Sequence, residues 1–78
     1  MALRKHWRDL DRSTVGRAPE RYGVYELGDE DGNVHAVDWG VLRDELKEVL
    51  AYRDAAKVRW EVAEHREHAA ELAEKHRG

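Results

Sequence analysis

The run Arg21-Tyr22-Gly23-Val24-Tyr25-Glu26-Leu27 is followed by Asp29-Glu30-Asp31-Gly32-Asn33 and then by Val34-His35-Ala36-Val37-Asp38-Trp39. Tyr22 to Leu27 reads as a strand. Asp31-Gly32 is the strongest hairpin signal in the chain, because this dipeptide suits the tight turns that join antiparallel strands. Val34 to Trp39 is the returning strand. Its alternation places Val34, Ala36 and Asp38 on one face and His35, Val37 and Trp39 on the other.

Working outward, the clearest helix begins near Val41. Leu42, Leu46, Val49 and Leu50 form its apolar stripe, while Arg43, Asp44, Lys47 and Glu48 face water, and it should end near Tyr52 to Asp54. Val58, Trp60 and Val62 alternate with Arg59 and Glu61, which predicts a third strand. Glu64 to Arg77 follows as a last helix. Its apolar face is thin, with Ala69, Leu72 and Ala73 and a further contribution from His65 and His76. Upstream, Leu3, Trp7 and Leu10 fall at i, i+4 and i+7, which predicts a helix over about residues 2 to 11. Ser13 or Thr14 would cap a further helical turn. Pro19, the only proline, ends it and marks the entry to the sheet.

The predicted order is helix-β-β-α-β-α. A right-handed crossover through the middle helix places the second and third strands on either side of the first. The fold class is α+β: a small three-stranded, mainly antiparallel sheet of order 2-1-3 with helices packed on it. Residues 1–19 form an N-terminal helical segment and residues 20–78 the α+β part of one compact domain.

Seventy-eight residues allow a modest core only. The chain has no cysteine, so neither disulfides nor thiolate metal sites can stiffen it. No apolar run approaches membrane-spanning length and the N-terminus lacks a signal-peptide core, so the expected location is cytoplasmic. The net charge of -3 and pI near 5.9 disfavour a general nucleic-acid binder. The charge is uneven, however. Residues 4 to 21 carry Arg4, Lys5, Arg8, Arg12, Arg17 and Arg21 against Asp9, Asp11 and Glu20.

Gly23-Val24-Tyr25, the acidic-Gly turn, Leu42-Arg43-Asp44-Glu45-Leu46, Val58-Arg59-Trp60-Glu61-Val62 and the Ala-rich helix from Glu64 together resemble the GIY-YIG nuclease domain over roughly residues 20 to 77. The resemblance implies a site with a divalent metal on a carboxylate, tyrosines that position or deprotonate water, and an arginine that neutralises developing phosphate charge. Tyr25 matches the first tyrosine. The second falls on Ala36, its glycine on Asp38, and the arginine on Glu45. Arg43 is close in sequence, but two residues along a helix is about 200° round its axis, so it should point elsewhere. Glu71 or Glu74 would stand for the metal ligand. The relic catalytic candidates are therefore Tyr25, Arg43, Glu71 and Glu74.

These departures imply a module that has lost nuclease activity and binds a protein partner or a second copy of itself. The thin apolar face of the last helix motivates self-association. Tyr25, Trp39, Arg17 and Arg21 are the candidate binding residues. No cofactor or metal is expected. The alternative is a residual metal-dependent nuclease or nucleic-acid binder using Tyr25, Arg43 and a C-terminal glutamate, and only that reading needs a divalent metal. His65 and His68, at i, i+3, have a spacing that can hold a metal, but a solvated helix surface is the preferred reading. A strand tyrosine ordinarily packs its ring, and large aromatics such as Trp39 and Trp60 are ordinarily core.

Overall fold

The computed structural model describes residues 5–53 and 55–77. Its elements are β1 (Arg8–Asp9), α1 (Arg12–Arg17), β2 (Tyr22–Gly28), β3 (Val34–Val41), α2 (Leu42–Tyr52), β4 (Lys57–Val62) and α3 (Arg66–Arg77). The strands form one antiparallel sheet in the order β1-β4-β2-β3. β2 is central between β3 and β4, as the order of the three predicted strands requires. Among the described residues, the sheet has four strands rather than three.

The fourth strand replaces the predicted N-terminal helix. Arg8 pairs with Val58 and Asp9 with Lys57, and the Leu10 amide donates to the Ala56 carbonyl at 3.0 Å. An isolated helix of about ten residues is marginal in water, whereas an extended segment here gains backbone partners on the open edge of β4. Trp7 and Leu10 then serve different neighbours. Trp7 lies against Arg59, and Leu10 packs on the main core. Leu3 and Asp54 lie outside the described residues. The following helix, α1, is capped by Asp11 rather than by Ser13 or Thr14. Its carboxylate accepts from the Thr14 amide at 2.8 Å, which holds the Asp11 carboxyl below its ordinary range.

The hairpin turn is organised by Asp29, whose carboxylate accepts from the amides of Asp31 and Asn33, both at 2.9 Å. Gly32 takes the left-handed conformation (φ 83°) that the turn needs. α2 follows β3 without a loop and has no side-chain cap. Its first amides, from Leu42 and Arg43, donate instead to the carbonyls of Arg21 and Pro19 at 2.9 and 3.2 Å. This ties the start of α2 to the entry of β2.

Strand alternation divides the interior in two. Tyr25, Leu27 and Val58 face α1 and α2, where they meet Val15, Leu42, Leu46 and Val49. Val24 faces the opposite way and packs on Ala73 of α3, with Val37, Trp39 and Leu72 around it. Ala69 and Ala73 are fully buried, so the small side chains of α3 are used to bring the helix close to its own sheet. On the Val24 side of β2, Glu26 is 1% exposed and accepts from Arg59 Nε at 2.7 Å. The Arg59 guanidinium lies 4.0 Å from the centre of the Trp7 ring.

β3 is a full-length edge strand, which ordinarily invites pairing with other chains. Here its middle is covered by side chains. Arg77 donates to the Val37 carbonyl through Nε and Nη2 at 3.2 and 2.9 Å. Asp38 accepts from the Trp39 amide at 2.9 Å, and Arg77 lies 3.6 Å from the same carboxylate.

Candidate functional site

Tyr25 sits in the middle of the central strand, with Asp38 directly opposite on β3. The pleat sends its ring under α2, and the residue is only 2% exposed. Its hydroxyl donates to Glu45 Oε1 at 3.0 Å. Glu45 reaches it because Gly40 leaves the space: a Cβ on Gly40, whose φ is 156°, would lie 2.6 Å from Glu45 Cγ. Glu45, Glu48, Val49 and Tyr52 recur at i, i+3, i+4 and i+7, so they share one side of α2. With Tyr25, Asp38 and Arg53 they line a cleft of about 250 Å³.

Among the described residues, the cleft is lined by three carboxylates and one guanidinium. Burial, reinforced by the charges of Glu45 and Asp38, pushes the Tyr25 phenol well above its ordinary range. The phenol is therefore a donor and not a base at neutral pH. Burial also raises the Glu45 carboxyl. The Tyr25 hydrogen bond opposes that shift, and Asp38 and Glu48 add to it. Such a site attracts a cation and repels phosphate.

The resemblance-based positions Tyr25, Asp38 and Glu45 thus line one cleft, and Ala36 packs against the core on the same side of the sheet. Arg43 points elsewhere, as its place on the helix predicts. It donates to the carbonyls of Ala18 and Gly16 at 3.0 and 3.3 Å and to Glu20 at 2.8 Å. Glu71 and Glu74 are exposed on α3, across the sheet from the Tyr25 ring, and Glu74 lies 3.5 Å from Arg77. The three other members of the proposed relic set are therefore not brought to Tyr25. Among the described residues, no group of three or more His, Cys, Asp or Glu side chains is arranged to hold a metal ion.

The predicted binding residues are also dispersed. Trp39 faces α3, with the Arg66 guanidinium 5.7 Å from its ring centre. Arg17 donates to Ser13 Oγ at 3.1 Å at the end of α1, and Arg21 is exposed just before β2. His65 and His68 cap the start of α3: His65 Nδ1 accepts from the His68 amide at 3.1 Å, and His68 Nδ1 accepts from the Glu64 amide at 2.9 Å. Sequence reasoning missed Glu48, Tyr52 and Arg53 as cleft residues. The helical spacing from Glu45 was the available signal.

A family model described as a domain of unknown function, DUF7508, matches residues 1–78. The chain belongs to the DUF7508 family. No curated protein and no solved structure matches it. For this DUF7508 chain, the cleft beside Tyr25 is thus described by its own geometry. No helix among the described residues is long and apolar enough to cross a membrane.

Proposed function

We infer that this DUF7508 chain is a non-catalytic, GIY-YIG-like interaction module. Its acidic cleft takes a cationic side chain, Lys or Arg, from a cytoplasmic protein partner. The observation that carries this reading is the commitment of the Tyr25 hydroxyl to Glu45, in a cleft lined by three carboxylates. A phosphodiester nuclease needs positive charge where phosphate binds. Here Glu45 stands where the resemblance would put an arginine, and Arg43 is held by Gly16, Ala18 and Glu20. The burial of Ala69 and Ala73 against the protein's own sheet favours a different protein over a second copy docked on α3.

The test is an NMR titration of the full chain with a lysine-rich peptide, with a glutamate-rich peptide as control. The expected result is saturable shifts at Tyr25, Glu45, Glu48 and Tyr52, lost in Glu45→Lys. Shifts unchanged by Glu45→Lys would remove the cleft from the reading. A DNA-nicking assay with magnesium or manganese should show no cleavage. Cleavage abolished by Tyr25→Phe would overturn the non-catalytic assignment.

A further inference from the structure

We propose that Lys5, His6, Arg8 and Trp60 form a binding pocket for a phosphate group whose carrier lies along the Trp60 ring. This site is separate from the Tyr25 cleft and does not rest on its interpretation. The four residues enclose about 180 Å³. The sheet register explains their meeting. Arg8 pairs with Val58, and Val58 and Trp60 lie two residues apart on β4, so all three side chains project from one face.

The pocket is positive because its cations are unclaimed. Arg43, Lys57, Arg59 and Arg77 each have a carboxylate partner. Among the described residues, Lys5, His6 and Arg8 have none. The acid next to Arg8 in sequence, Asp9, is occupied at 2.5 Å by Lys57. Among the described residues, the pocket wall therefore carries two cations and an imidazole and no acid, in a chain whose net charge is -3. An anion bound there would meet the Lys5 and Arg8 charges without a competing carboxylate.

Arg8 and the Lys5 backbone are also tied to the sheet. Pairing with β4 positions Arg8, and its guanidinium lies 5.1 Å from the centre of the Trp60 ring. The Lys5 carbonyl accepts from Arg59 Nη1 at 3.3 Å, while the same guanidinium is anchored by buried Glu26 and lies against Trp7. A planar guanidinium beside an ammonium and an imidazole supplies several donors to a tetrahedral oxyanion. Trp60 is half-buried, packed on the core and lying beneath the Arg8 guanidinium, so the part of the indole left exposed forms an apolar wall beside the bound phosphate. The shared chemistry is that of a nucleotide, free or within a single strand.

The experiment is an amide and indole NMR titration of the full chain with inorganic phosphate, a nucleoside monophosphate and a short oligothymidylate. Saturable shifts at Lys5 to Arg8 and at the Trp60 indole N–H are expected. The nucleotide should bind more tightly than phosphate alone. Shifts with the oligonucleotide only would also support the site and assign it to a strand. In Lys5→Gln/Arg8→Gln, affinity should fall by about tenfold or more, because two charge-assisted contacts are lost. Should that variant not fold, Lys5→Gln alone must weaken binding. The proposal is overturned by no saturation up to the order of 10 mM of any probe. Unchanged binding in the folded variant would also overturn it, as would equal shifts from a glutamate-rich peptide.

Discussion

Replacing Tyr25 by Phe isolates the hydrogen bond at the centre of the cleft. The ring remains, so the packing with Leu46 and its neighbours is kept, and only the hydroxyl at 3.0 Å from Glu45 Oε1 is removed. A hydrogen bond to a charged group contributes about 1.5–3 kcal/mol. Glu45 is half-buried at the mouth of a cleft, where water can partly replace the lost donor, so the low end applies: about 1.5 kcal/mol. For a domain of this size that is a fall in Tm of about 6–12 °C. Thermal unfolding followed by circular dichroism at about pH 7.5 measures it.

The pH dependence adds a second check. The folded Glu45 carboxyl is raised above its ordinary value, first by burial and then by Asp38 and Glu48. In the window between the unfolded and folded values, the folded state binds more protons. Glu45 therefore lowers stability as pH rises through that window. Acidification protonates it and removes its need for the phenol as a donor. The deficit of Tyr25→Phe should accordingly shrink towards about pH 4, and Glu45→Gln should flatten the slope while keeping an acceptor for the hydroxyl. A Tyr25→Phe deficit that is the same at both pH values, or a loss in Glu45→Gln as large as that in Tyr25→Phe, would refute the reasoning.

Arg59→Ala should cost about 3–5 kcal/mol, because it strips a partner from the nearly inaccessible Glu26 carboxylate; urea unfolding checks this, and a loss under about 1 kcal/mol would show that the pair is not essential. Gly40→Ala should cost about 1–3 kcal/mol through its φ of 156°. The new Cβ also displaces Glu45, so adding Tyr25→Phe to Gly40→Ala should cost clearly less than Tyr25→Phe does alone. Arg77→Ala exposes the Val37 carbonyl on the edge of β3 and should raise concentration-dependent self-association in sedimentation experiments, with little change in Tm.

Much of the architecture was legible because local signals agreed with the global fold. Asp31-Gly32, the alternation of Val34 to Trp39 and the stripe from Leu42 to Leu50 each specify one element, and the crossover rule orders the strands around β2. The start of the chain was not legible. Trp7 and Leu10 have helical spacing, yet the open edge of β4 offered backbone pairing that no local pattern records. The site was half legible. Of the candidates Tyr25, Arg43, Glu71 and Glu74, only Tyr25 lines the cleft; Asp38 and Glu45, read from the sequence as departures from the resemblance, line it too, and Glu71 and Glu74 looked available until α3 was placed on the opposite face.

The sequence alone determined that this chain is one small α+β unit, stiffened by neither disulfide nor thiolate metal site, whose central strand carries Tyr25. Periodicity and turn chemistry act over a few residues, so they are readable in one dimension. Only the tertiary structure decided which charges meet. The antiparallel register sets Asp38 opposite Tyr25, and the approach of α2 over Gly40 brings in Glu45. The pairing of β1 gathers Lys5, His6 and Arg8 around Trp60. These encounters join residues from 13 positions apart, as Tyr25 and Asp38 are, to 55 apart, as Lys5 and Trp60 are, and only the packed sheet brings them within reach.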